Sequence, residues 1–369
     1  MLPLVLIYSI AWIFSCCDCK HEFKTSSQTV ISKSIKTSTA DFGYNMKTSF
    51  HLKAVLALMT IAVGINTTIA QDFDISIQPV GILGETGGSG PYPAVARAFA
   101  DMRENTVYVP ATLPEKPMPL VIWGTGGCHD NGLGYAGFLR EIASYGFIII
   151  SGGYPRFERE LLSPEQLAER NYNNSPNPLA ALEFTTVAQL KGAIDWARAV
   201  NEDAASPLQG NIDLDRIAAM GHSCGGLQAI TLFADPHVDT VIAFNSGALN
   251  ELPPQHLRHN KNLNVGKEIL DDLHGPIAYI NGGPGDIAYP NASDDLARIE
   301  SVPVFFAENG VGHGGTFHFD ANGGEYAKVA TAWMQWQLNN DKDAANMFLG
   351  PDCGLCISEG WKVQRKGIE

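Results

Sequence analysis

Met220-Gly221-His222-Ser223-Cys224-Gly225-Gly226 decides how the rest of the chain is read. The run leading into it, Asp215-Arg216-Ile217-Ala218-Ala219-Met220, ends in apolar residues and has the character of a buried parallel strand. The run leaving it, Leu227 to Ala234, reads as a helix. Strand, Gly-x-Ser-x-Gly and helix in succession form a nucleophile-elbow pattern, a turn so tight that the serine is strained and its hydroxyl exposed. Glycine is required at 221 and 225 because side chains there would collide where strand and helix nearly touch. In a chain with 37 glycines the five-residue motif alone carries little, and an ordinary turn serine is the bland alternative. The flanking elements are what make Ser223 a candidate nucleophile.

The first 70 residues lack the pattern of a fold. Met46 to Lys53 is short and basic, Ala54 to Ile65 is uncharged and mostly apolar, and Thr68-Ile69-Ala70 precedes Gln71 with small or tolerated residues. That is the layout of a secretory signal peptide, and the apolar run is too short to span a bilayer comfortably. Because such a signal opens a protein, Met46 is read as the true start. The organisation expected is a non-native extension over 1–45, a signal peptide over 46–70 and a single domain over 71–369. The competing reading takes Leu2 to Phe14 as the signal or an anchor, but no basic segment precedes it and Ile13-Phe14-Ser15-Cys16 is a poor lipidation site.

The whole chain carries a formal charge of −14, and residues 1–70 hold six Lys against three Asp or Glu, so the remainder is at −17. With no basic patch, a nucleic-acid or anionic-membrane partner is disfavoured, and no stable membrane anchor is expected. Cys16, Cys17 and Cys19 would leave with the leader, and Cys128, Cys224, Cys353 and Cys356 would stay. An even number of cysteines in an exported protein favours disulfides. Cys353-Gly354-Leu355-Cys356 has no partner pair at zinc-ligand spacing and lies outside any βαβ unit, so a structural bridge is expected there. Neither a metal nor a cofactor is called for, since no paired histidines fall at helical spacing near a carboxylate.

In chain order, Val107-Tyr108-Val109-Pro110 reads as an early edge strand, closed by the Pro-rich Leu113 to Pro119. Leu120 to Trp123, Phe147 to Ile150, Thr240 to Phe244, Ile277 to Ile280 and Val304 to Ala307 are short apolar runs of the kind buried on both faces of a sheet. Helices are expected over Tyr135 to Ser144, Phe184 to Val200, Ser293 to Ile299 and Tyr326 to Leu338, with Phe184, Val187, Leu190, Ile194 and Ala197 on one stripe of the second. The polar segments 152–182 and 247–275 are too long for plain connections and read as surface excursions. Strands alternate with helices throughout, which specifies an α/β class: a doubly wound, mostly parallel sheet with helices on both faces. Ligands on such sheets bind at the carboxyl ends of the strands, where Ser223 sits.

A nucleophile of this kind needs an acid and then a histidine on loops after later strands. Asp286 is the only carboxylate in Asn281-Gly282-Gly283-Pro284-Gly285-Asp286-Ile287-Ala288-Tyr289, after strand Ile277 to Ile280. The bland reading of Asp286 is a turn aspartate accepting backbone N–H bonds. After strand Val304 to Ala307, His313 is hemmed by glycines and favoured over His318, which lies beyond Thr316-Phe317. In the expected roles His313 is the base, Asp286 orients it, and the backbone N–H of Cys224 is one oxyanion donor. The second donor is expected from Thr125, Gly126 or Gly127, with Gly126 the central choice.

Through Gly-His-Ser-Cys-Gly at 221–225, Gly-Asp-Ile-Ala-Tyr at 285–289 and Gly-His-Gly-Gly-Thr-Phe at 312–317, the chain from about Val107 to Leu338 resembles the α/β-hydrolase superfamily. Lacking a large cap domain, it is most similar to the chlorophyllase, dienelactone-hydrolase and polyester-hydrolase (cutinase-like) branch of secreted esterases. It departs from chlorophyllases and polyester hydrolases in its Gly-Thr-Gly-Gly-Cys loop and in Cys224, and from dienelactone hydrolases in having serine as nucleophile. The resemblance implies a single catalytic domain over 71–369, secreted or periplasmic, that hydrolyses a small-molecule or polymeric carboxylic ester through an acyl-enzyme. It also implies that the strands ending at Trp123 and Met220 are neighbours, which would let Cys128 and Cys224 form a disulfide across the oxyanion hole; two buried thiols are the alternative. A serine acyltransferase or peptidase on the same fold, and a non-catalytic binding domain, are the competing functions. Tyr154, Phe157, Tyr172, Leu179, Leu252, Leu257, Leu263 and Ile269 in the excursions suit either an apolar substrate group or packing onto the domain. Asn173-Asn174-Ser175 and Asn291-Ala292-Ser293 are glycosylation sequons, meaningful only in a eukaryotic secretory pathway.

Overall fold

The computed structural model describes residues 81–155, 184–254 and 260–369. The segments expected to be an extension and a signal peptide, most of the first excursion with Phe157, Tyr172, Leu179 and Asn173, and Leu257 of the second lie outside the described residues. Among those described, the strands are β1 (Gly81–Gly87), β2 (Ala94–Ala98), β3 (Asn105–Pro110), β4 (Met118–Gly124), β5 (Ile148–Gly152), β6 (Ile212–His222), β7 (Thr240–Phe244), β8 (Ile277–Asn281), β9 (Val304–Glu308) and β10 (Lys362–Lys366). The helices are α1 (Ala136–Ala143), α2 (Val187–Glu202), α3 (Cys224–Leu232), α4 (Tyr289–Arg298), α5 (Gly324–Asn339) and two single-turn pieces, α6 (Lys342–Ala345) and α7 (Gly354–Ile357).

One ten-stranded sheet takes the order β1-β2-β3-β5-β4-β6-β7-β8-β9-β10. The six strands from β5 to β9 run parallel, and antiparallel strands extend the sheet at both ends. Successive residues of a strand face opposite sides, so each parallel strand supplies two cores. Leu120, Ile122, Ile217, Ala219 and Val241 meet α2, α3 and α4 on one face. Val121, Trp123, Ala218, Met220 and Ile242 meet α1 and α5 on the other. Burial on both faces is why these strands read as unbroken apolar runs. The architecture is α/β, with a mostly parallel sheet between two helical layers.

Three elements differ from expectation. Val107 to Pro110 is not an edge strand: β3 is wholly buried between β2 and β5, because the β1–β2 hairpin covers it. That hairpin is glycine- and alanine-rich (GILGETG and AVARA), with little of the bulky β-branched pattern that marks a strand. Phe184 is not on the α2 stripe; it bridges to His129, and the helix begins where Thr186 caps it by accepting the Gln189 N–H. At the far edge, the charged β10 (KVQRK) pairs with β9, and Lys362 bonds Glu308 at 2.9 Å. Charge on an edge strand discourages further pairing.

The α5 side of the sheet is closed by aromatic packing. Trp333 is fully buried, meets Phe348 and Trp336 edge-on at 5.1 and 5.3 Å, and donates its indole N–H to Thr240 Oγ1 at 2.8 Å. Trp333→Ala would leave both a cavity and a hydroxyl without its donor. It is expected to lower stability by about 3–5 kcal/mol, read as a shift of the urea midpoint at unchanged slope.

Candidate active site

The site is set by how closely backbones approach at the carboxyl end of the sheet. A side chain at Gly221 would strike the Gly225 carbonyl, and one at Gly225 would strike the Gly124 carbonyl at the end of β4. The chain therefore turns from β6 into α3 in one residue, and Ser223 takes φ 55, ψ −119. A non-glycine residue in that region costs roughly 1–3 kcal/mol and persists only where neighbours hold it. Its N–H bonds the Phe244 carbonyl at 2.9 Å, and its carbonyl accepts the Ser246 hydroxyl at 2.7 Å.

Ser223, His313 and Asp286 come together from three separate loops. His313 Nε2 lies 2.8 Å from Ser223 Oγ, and His313 Nδ1 lies 2.6 Å from Asp286 Oδ1. Asp286 is buried and anionic by geometry: it accepts from the Ala288 N–H at 2.9 Å, the Asn245 amide at 2.7 Å and the Gly282 N–H at 3.3 Å. Burial alone would raise its pKa, but the hydrogen bonds from His313, Ala288 and Asn245 hold it below the ordinary value. With Asp286 accepting Nδ1–H, the neutral imidazole turns its Nε2 lone pair to the serine hydroxyl. His318 is outside this triad: its ring packs against Tyr135 at 4.8 Å with the planes tilted by 48°, and burial lowers its pKa.

Two residues of the site have no signal in the sequence. Asn245, at φ 44 after β7, donates both to Asp286 and to the Gly312 carbonyl at 2.9 Å, tying the acid loop to the histidine loop. His222, inside the Gly-x-Ser-x-Gly motif, is buried between two partners. Its Nε2 lies 2.7 Å from the His313 carbonyl and its Nδ1 lies 2.8 Å from the Tyr135 hydroxyl. A carbonyl only accepts, so Nε2 carries the proton and Nδ1 accepts from Tyr135. Desolvation, then the neighbouring His313, lowers the His222 pKa to about 3. It stays neutral across the physiological range.

The loop after β4 completes the site. Thr125 donates its hydroxyl to the His129 carbonyl, and the turn uses the Cys128 and His129 amides for its own bonds to Thr125 and Gly126. Gly126 lies against the Tyr135 hydroxyl and the His222 ring, where a side chain would collide with both. Gly127 and Cys128 have positive φ, 64° and 53°. Cys128 is paired with Cys224 with the sulfurs 2.01 Å apart, and Cys353 with Cys356 at 2.16 Å. A cleft of about 340 Å³ opens beside this loop. Ile287 on the acid loop and Val311 and Phe319 on the histidine loop are exposed apolar residues, with Phe319 lying over Gly314. Of the second excursion, Ile269 packs against the core and Leu252 is exposed. Lys267 pins that segment to α4 by bonding the buried Asp295 at 2.5 Å.

Comparison with known protein families and with curated proteins gives no match. No helix among the described residues is long and apolar enough to cross a membrane.

The Cys128–Cys224 pair closes a separation of 96 residues, so its loss releases a long loop in the unfolded chain. Replacing both cysteines with alanine is expected to lower Tm by roughly 5–15 °C, from the usual 2–5 kcal/mol for a native bridge. Mass spectrometry of the unreduced native protein after iodoacetamide should find neither sulfur alkylated. A second expectation follows from His222. Unfolded, it binds a proton near pH 6.5; folded, only near pH 3. The unfolded state thus holds more protons between those values, so stability falls as pH drops from about 6.5 towards 3. Urea midpoints measured across that window should decline less steeply in His222→Gln than in the wild type.

Proposed function

We propose that this protein is an exported serine hydrolase of the α/β-hydrolase superfamily that cleaves carboxylic esters through an acyl-enzyme. One observation carries the reading: Ser223, strained at φ 55 on the turn between β6 and α3, is joined to His313 and the buried Asp286 by bonds of 2.8 and 2.6 Å. A serine, a base within hydrogen-bond reach and a third group orienting that base are the parts of an activated nucleophile. The cysteine pairs agree with an oxidising compartment.

In the proposed reaction Ser223 Oγ attacks the ester carbonyl as His313 Nε2 takes its proton. Asp286 stabilises the imidazolium and keeps its Nδ1 proton in place. The carbonyl oxygen becomes an oxyanion held by the Cys224 N–H and an amide of the loop Thr125 to Gly127. Each such donor contributes roughly 3–4 kcal/mol to the barrier reduction. As the tetrahedral intermediate collapses, His313 returns the proton to the departing alkoxide. Water, activated by the same His313, then attacks the acyl-serine and regenerates the hydroxyl.

A fluorophosphonate probe followed by intact-mass measurement tests this directly. The wild type is expected to gain one adduct, and Ser223→Ala none. Asp286→Asn should keep the fold and lower kcat on 4-nitrophenyl acetate by about 10⁴-fold, since an amide can present the wrong group to His313 Nδ1. A folded wild type that gains no adduct would overturn the reading in favour of a binding domain.

A further inference from the structure

The cleft beside the loop after β4 has a composition that the proposed chemistry does not account for. Its walls are Thr125, His129, Asn131, Tyr135 and His318, and its floor includes the bare backbone of Gly126 and Gly134. None of these is a carboxylate, a lysine or an arginine, so the lining holds no permanently charged group to pair with a charged ligand. A long alkyl chain is no better matched, because such a chain needs an apolar tunnel and every side chain here carries a polar atom. What the lining offers is ring faces and unspent hydrogen-bonding groups.

Which groups are unspent can be read from the bonds. The Thr125 hydroxyl is taken by the His129 carbonyl, and the Tyr135 hydroxyl by His222. Asn131 is different: its side-chain oxygen is buried and accepts no hydrogen bond among the described residues. That oxygen lies directly over Gly134, where any side chain would displace it. A buried acceptor without a donor is costly, and a turn of the Asn131 amide into the cleft would let a ligand hydroxyl remove the cost. His318 packs its ring against Tyr135 at 4.8 Å with the planes tilted by 48°, and it lines the cleft. Held neutral by burial, it presents one donor and one acceptor there.

The position of the cleft says which half of an ester would enter it. His313 must reach the leaving oxygen to protonate it, so the alcohol departs on the His313 side, where Val311 and Phe319 are exposed. The oxyanion lies at the loop containing Thr125 and Gly126. The acyl substituent, on the other side of the carbonyl carbon, is then directed along that loop, and Thr125 and Gly126 are cleft residues.

We infer that this cleft is an acyl-group subsite for an uncharged, hydroxyl-bearing ring, so that the substrates are esters of hydroxylated cyclic carboxylic acids such as neutral-ring sugar acids. The inference rests on the hydrolase reading above. Asn131 accepts a ring hydroxyl, His318 exchanges a hydrogen bond with a second, and the Tyr135–His318 pair presents an aromatic surface to the ring.

The test compares two methyl esters with six-membered acyl rings and the same leaving group: the methyl ester of a glucuronic acid methyl glycoside, and methyl cyclohexanecarboxylate. The purified exported protein is expected to show kcat/KM at least about tenfold higher for the hydroxylated ester, as two added hydrogen bonds would give. Asn131→Leu is expected to lower that ratio by about threefold to tenfold. His318→Phe, which keeps the packed ring and deletes its nitrogens, should lower it by a similar factor and serves if the first variant does not fold. A wild-type ratio at or below one, failure to cleave either methyl ester while 4-nitrophenyl acetate is cleaved, or ratios unchanged in both variants would overturn the subsite. Absence of both probe labelling and 4-nitrophenyl acetate cleavage would instead remove the hydrolase reading beneath it.

Discussion

Everything at the carboxyl end of this sheet depends on a backbone contact too close to admit a side chain. Gly124 of β4, Gly221 of β6 and Gly225 of α3 meet with their carbonyls where Cβ atoms would otherwise stand. Because α3 starts that close to the sheet, Ser223 has a single residue in which to reverse the chain, and φ 55 is the result. The strain is retained because burial of Leu227, Ala229 and Ile230 under the neighbouring strands holds α3 down. A serine on an ordinary turn would relax its backbone and lose its fixed direction towards His313.

From that contact a polar relay runs outward. The Tyr135 hydroxyl, packed against Gly126, donates to His222, and His222 donates to the carbonyl of His313. Tyr135, at the start of α1, thereby connects the loop after β4 to the loop after β9 through a residue adjacent to Ser223. Asn245 makes a parallel tie between the acid loop and the histidine loop. Long, glycine-rich loops such as 282–287 and 310–315 have little packing of their own. Buried hydrogen bonds from neutral groups give them one arrangement, since any other would leave a desolvated donor or acceptor unpaired.

How far the sequence is legible follows from the range of the forces involved. The parallel strands could be read because burial on two faces writes an unbroken apolar run, as in Leu120 to Trp123 and Thr240 to Phe244. Ser223, Asp286 and His313 could be singled out because each follows a strand in a fixed order on a sparse loop. The β1–β2 hairpin and β10 could not, because glycine, alanine and charge suit their edge positions and hide their strand character. Phe184 looked helical by spacing, yet a cap at Thr186 decided where α2 begins. His222 and Asn245 were invisible for a different reason. Their partners lie 91 and 67 residues away, at His313 and Gly312, and no local pattern encodes a contact of that range.

The loop after β4 shows why the cysteine pair belongs to the site as well as to the fold. Gly127 and Cys128 both sit at positive φ, which is costly for Cys128, and the turn's own bonds from the Cys128 and His129 amides are of about the same size as that strain. The turn is held from outside as well. The bond from Cys128 to Cys224 joins it covalently to the residue after Ser223, so two positive-φ non-glycine residues, Cys128 and Ser223, are linked through one disulfide and one peptide bond. In the proposed reaction, the oxyanion donors come from these two segments. Donors act most strongly when they need no reorganisation as charge develops. A covalent tie joins them independently of pH, whereas the Tyr135–His222–His313 relay holds only while His222 is neutral, a condition that fails only near pH 3. An oxidising compartment would thus keep the two segments joined even at the acidic pH where protonation of His222 breaks the relay.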